Sequence, residues 1–123
     1  MEEEIIYERL RFAYQRPVDA ETAVFSASVP DNKIRNIVLL LISGTPKSND
    51  TVTFEKFVPA TSTVSTILTV PAASGVTILH QIPETYHVKD PIIVLEGGTN
   101  LLTTTGATSG DLYLTVVYWD NDV

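Results

Sequence analysis

Residues 33–44 read KIRNIVLLLISG, and the unbroken apolar run from Ile37 to Ile42 decides the fold class. A strand turns successive side chains to opposite faces, so such a run leaves both faces in need of cover. It is far too short to span a membrane. Gly44, Pro46, Ser48, Asn49 and Asp50 follow it and end regular structure. The stretch predicts a central β-strand, covered by a second layer of the same chain or by a partner subunit.

Working outward, β-forming residues dominate: Val, Ile, Thr, Tyr, Phe and Trp account for 50 of the 123 residues, and these types suit a pleated, half-buried surface. TVTFEKFV (51–58) places Val52 and Phe54 on one face, and Phe57 then breaks phase, which predicts a bulge near Glu55 and Lys56. TVSTILTV (63–70) and VTILHQI (76–82) alternate as half-buried strands, while TAVFSASV (22–29), PIIVLE (91–96), TNLLTTT (99–105) and DLYLTVVYW (111–119) are further strand candidates. IIYERLRFAYQR (5–16) reads as a strand or as a helix, and the clean alternation of Leu10, Phe12 and Tyr14 against Arg9, Arg11 and Gln15 favours the strand. Three strand candidates stop at Val-Pro, at residues 29–30, 58–59 and 70–71; proline holds its predecessor extended and cannot donate the next ladder hydrogen bond. The expectation is one domain over residues 1–123, with 1–20 as an N-terminal strand or arm. Its fold class is all-β, an antiparallel, jelly-roll-like β-sandwich of about eight or nine strands.

Charge and composition narrow the function. The net charge is −7 with eight Lys and Arg in all, which argues against an unaided grip on nucleic acid. The start, with Glu2, Glu3 and Glu4, lacks the basic, apolar character of a secretory signal, and no apolar run suits a membrane span. There is no Cys, which removes disulfides, thiolate metal sites and Cys nucleophiles together. The acidic ends, Glu2–Glu4 and Asp120–Asp122, read as solvated tails.

No chemical motif stands out. His80 lies in the apolar phase of its strand and His87 beyond Pro83, a spacing that does not place two metal ligands on one element. No Ser sits in a Gly-x-Ser-x-Gly elbow. Glu84, Asp90 and Glu96 read as solvated acids beside turns rather than a glycosidase pair. Gly97-Gly98 follows an apolar strand, but a phosphate-binding loop needs Gly-Lys-Ser/Thr and a helix, and no Lys lies beyond Lys89. The pair therefore reads as a bend using positive φ. The expectation is a non-enzyme with no cofactor, no metal and no catalytic residues.

The last strand carries the functional signal. Leu112, Leu114, Val116 and Tyr118 fill one phase and Tyr113, Thr115, Val117 and Trp119 the other, so both faces are too apolar for open water. One face is core. The other is covered by a second sheet or a partner, or forms an aromatic platform for a glycan. Tyr113, Val117 and Trp119 are the interface candidates. Arg9, Arg11, Arg16, Lys33 and Arg35 gather in the first third, and Arg9 and Arg11 are candidates for pairing with the acidic ends of a neighbouring copy.

The order VFSASVPDNKIRNIVLLLISG, TVTFEKFVPA, PIIVLEGGTNLL, DLYLTVVYW resembles the small β-sandwich structural proteins of tailed-phage virions across residues 22–120. The pattern departs at Gly97-Gly98-Thr99-Asn100, where those proteins more often carry Ala-Gly-Asp-Ser. The resemblance implies a virion-located head-decoration, neck or tail-associated subunit, a homo-oligomer that docks onto other virion structural proteins. A carbohydrate- or host-surface-binding module is the alternative.

Overall fold

The computed structural model describes residues 10–17, 20–45, 51–71, 75–78, 91–105 and 111–123. They form β1 (Arg11–Gln15), β2 (Thr22–Ala23), β3 (Lys33–Thr45), β4 (Thr51–Val58), β5 (Thr63–Pro71), β6 (Gly75–Ile78), β7 (Ile93–Leu95), β8 (Asn100–Thr105) and β9 (Asp111–Asp122). Two antiparallel sheets result. One runs β1-β9-β3-β6 with β7 also on β3, and the other runs β2-β8-β4-β5. β6 pairs with Leu41–Gly44 and β7 with Arg35–Ile37, so the two lie end to end along one edge of β3. Counting that lane once, the two sheets have four lanes each, and apart from the β4–β5 hairpin the chain crosses between them at every step, in jelly-roll order. The expected fold class is the observed one.

The apolar run of β3 sits where its composition requires. It pairs with β9 along one side and with β6 and β7 along the other. Ile37, Leu40 and Ile42 pack into the core between the sheets with Leu112, Leu114 and Val116 of β9 and Val52, Phe54 and Leu101 of the facing sheet. The register slips between Ile37 and Leu39. Val38 leaves the main core there and packs in a small second cluster with Val117.

Several expectations change in detail. The candidate strand 22–29 is paired only over Thr22–Ala23. The following residues bend so that Val24, Phe25 and Val29 enter the core, and the Val29 N–H donates to the Thr99 carbonyl at 2.8 Å. The register of β4 with β5 slips between Phe54 and Glu55, but the extra residue is Ile67 of β5, and β4 itself runs without a break against β8. β5 is not half-buried: Thr63–Ile67 are all exposed, and burial begins only at Leu68 and Val70. Asp120–Asp122 are not a solvated tail, since β9 continues through Asp122 opposite Lys33–Arg35. In 5–16 the strand reading holds over Arg11–Gln15; Arg9, His80, His87, Glu84 and Asp90 lie outside the described residues.

The Gly pair is a tight bend. Gly98 has φ +80° and its N–H donates to the Val29 carbonyl at 2.7 Å. Gly97 is needed for a different reason: a Cβ there would stand 2.7 Å from the Asp31 backbone.

Candidate functional site

Opposite residues in an antiparallel pair share a face, so the register maps the outer surface of the five-stranded sheet. Phe12 of β1 lies opposite Val117 of β9, which lies opposite Leu39 of β3; Tyr14, Thr115 and Leu41 form the next row, and Tyr113 with Ser43 the next. In the other direction Trp119, Asn36 and Val94 make a row across β9, β3 and β7. The phase assigned to the core in β9, Leu112 to Tyr118, does face the opposing sheet, and the Tyr113 phase faces out.

The second sheet does not cover this outer face. Phe12 is 58% exposed, Tyr14 72%, Tyr113 50% and Val94 47%. Val117, by contrast, is buried; with Val38 it forms a small cluster that Leu10, Leu39 and Trp119 cover in part. Of the three candidates on the last strand, Tyr113 therefore offers surface, Trp119 is half-buried at the margin and Val117 supports the face from beneath. The Arg16 guanidinium stands 5.8 Å from the Tyr113 ring centroid, placing a cation at the rim.

Arg11 belongs elsewhere, because it lies opposite Tyr118 on the phase that points inward. It borders an open cleft with Lys33, Asp120 and Asp122 at the end of the sheet, and its Nη1 donates to the Leu10 carbonyl at 3.0 Å. The acidic end meets basic partners within its own chain, Lys33 and Arg35. Arg35 binds Asp120 through two hydrogen bonds of 2.8 Å, and Lys33 pairs with Asp122. Arg35 also stands against the edge-to-face pair of Phe25 and Tyr118, 4.4 Å from each ring centroid. In the sequence Arg35 stands only as one of the basic residues gathered in the first third. The missed signal was its phase, two residues before Ile37 and on the same inward side.

A second open cleft, about 440 Å³, runs beside β1 between Phe12 and Tyr14 and residues Phe25–Ser28. Arg35 lines it, but its guanidinium is already committed to Asp120 and two rings. Among the described residues there is no group of three His, Asp or Glu placed to hold a metal ion, and no helix is long and apolar enough to cross a membrane.

No family model matches the chain, and no curated protein matches it. Among solved structures, the chain is similar to the Drosophila NLP core, described in terms of pentamer formation and histone binding, with a TM-score of 0.50 and 13% identity over 93% of this chain and 99% of that one. A subunit of the disulfide-linked pili that form Bacillus endospore appendages aligns with a TM-score of 0.43 and 10% identity over 89% of this chain and 83% of that one. The first supports the β-sandwich fold. Neither is described as a phage protein.

Proposed function

We propose that this chain is a structural subunit that associates with copies of itself through the outer face of the five-stranded sheet, in the virion of a tailed phage. The observation that carries the reading is the exposed aromatic row: Phe12, Tyr14 and Tyr113, on paired strands, turn half or more of their surface to solvent. Contiguous apolar surface of this kind marks interaction sites, and aromatic residues are enriched where interfaces form. Jelly rolls serve capsid subunits and lectins alike, and the pentamer described for the Drosophila NLP core is in keeping with ring formation by such a fold. The virion setting rests on the sequence resemblance. Docking onto other virion proteins would use the surfaces that remain outside the self-contact.

Mass photometry and sedimentation of the purified chain test the self-contact. The expected result is a defined oligomer that Tyr113→Lys together with Tyr14→Lys breaks down, to monomer at the high dilution of mass photometry, without loss of the folded-state far-ultraviolet spectrum. A wild-type chain that stays monomeric at high concentration refutes it. Identification of the chain in purified particles by mass spectrometry tests the setting.

One observation favours a second reading, a glycan platform. Tyr14 and Tyr113 lie diagonally on neighbouring strands and both rings are exposed, an arrangement in which ring faces can receive a sugar. Glycan-array binding that vanishes in Tyr14→Ala and Tyr113→Ala would favour this over self-association.

A further inference from the structure

The face described above is not the only surface with unmet bonding capacity. A sheet edge presents a row of backbone N–H and C=O groups that will pair with any strand laid beside it, and proteins ordinarily blunt such edges with short strands, charges, proline or bulges. Most edge strands here are blunted. β2 has two residues, β7 three and β6 four. β1 has five, carries Arg11, and is tied to the facing sheet by Gln15, whose Nε2 donates to the Thr22 and Ala23 carbonyls at 2.9 Å.

β5 differs. It is the outer strand of its sheet, paired only with β4, and runs nine residues. Its side chains from Thr63 to Ile67 are exposed on both faces, so the described residues lay nothing over it. Its sequence, TVSTILTVP, lies within residues 57–79, the longest stretch of the chain without Asp, Glu, Lys, Arg or His. Uncharged, β-branched segments of this kind pair readily with their own copies. Two devices remain: the bulge opposite Phe54/Glu55 and Pro71 at the end of the strand. Both sit toward its C-terminal half and leave Thr63–Thr66 open.

We infer that Thr63–Thr66 is a second self-association site, at which β5 of one copy pairs antiparallel with β5 of another and joins the two four-stranded sheets into one. The occupant is a second copy for two reasons. Antiparallel pairing about a two-fold axis needs only the same segment twice. In a chain of net charge −7, the neutral edge is also where two copies approach with least repulsion. Val64 and Ile67, 38% and 37% exposed, add apolar contact beside the new ladder. The site is small, so it gives a weak, concentration-dependent dimer by itself and links oligomers made through the aromatic face.

The test uses the full chain carrying Tyr113→Lys and Tyr14→Lys, so that the aromatic face is silent, and follows mass by sedimentation equilibrium at rising concentration. Val64 is the position to change, because its cross-strand neighbour Phe57 is uncharged. A dimer in this background is expected, with loss of the dimer in Val64→Lys and in Val64→Glu and its return when the two variants are mixed. Slowed amide exchange confined to residues 63–66 should accompany dimer formation. No dimer in this background, or a dimer untouched by Val64→Lys, overturns the inference. Far-ultraviolet spectra that match the parent exclude misfolding as the cause. Because the aromatic face is already altered, its failure as an interface would be seen separately, in the unchanged mass of the double Lys variant.

Discussion

Arg35 is the residue whose environment is most demanding. Its side chain is about one-tenth exposed, paired through two hydrogen bonds with Asp120 and set against two rings that touch each other. Removing one partner of a buried pair leaves a charge without compensation, at a cost of about 3 kcal/mol or more. Arg35→Met and Asp120→Asn should each lower stability by roughly that amount in urea titration. Lys33→Met should do far less, because its partner Asp122 is largely exposed and such pairs contribute little. Gly97 makes the opposite kind of demand. Gly97→Ala forces a methyl group against the Asp31 backbone, for an expected loss of about 1 to 3 kcal/mol. Glu55 brings a pH dependence. Burial raises its carboxyl pKa above the usual 4.5, and the neighbouring carboxyl of Glu21 pushes it in the same direction. Its favourable contribution is therefore complete below the ordinary glutamate value and is lost as pH rises through the raised one. Glu55→Gln should raise Tm at pH 7 and change it little at pH 4.

Elements show where sequence patterns are legible and where they are not. β3, β4, β8 and β9 are readable because their apolar residues follow the two-residue period or fill both phases, whereas the phase break at Phe57 misleads: the extra residue at that level is Ile67 of β5. β5 carries the same alternation, yet Val64 and Thr66 face solvent. Alternation gives the phase of a strand, and an edge strand that outruns the facing sheet keeps the phase without the cover. Residues 24–29 failed for the converse reason. Val24, Phe25 and Val29 are core residues, but they reach the core from a bent segment bonded at Val24 to Leu101 of β8 and at Val29 to the turn at Gly98 and Thr99. The candidate face was half legible. Two apolar phases in β9 announced a second buried or sticky surface, whereas the contribution of Phe12 and Tyr14 depends on β1 pairing with β9, which no local pattern reveals. Gln15 shows how that pairing is fixed, since its amide donates to β2 and its carbonyl oxygen accepts from the Thr103 hydroxyl. Gln15→Leu should loosen β1, seen as faster amide exchange over Arg11–Gln15 with less effect on β3.

The whole molecule is a jelly roll whose centre is the β3–β9 pair. Lys33 and Asp122 are register partners 89 residues apart, and β9 is flanked on its other side by β1, also from the beginning of the chain. Closing so large a loop costs entropy before any of these contacts forms, and all-β folds governed by distant pairings reach the native state in about milliseconds to seconds. Stopped-flow refolding should fall in that range, and Val116→Ala, which weakens the centre of β9, should slow it. Until β9 arrives, the apolar run of β3 has one edge bare. The delay, more than the stability of the finished sandwich, then sets the yield of soluble chain: lower temperature or slower synthesis should raise recovery even though neither changes a single native contact.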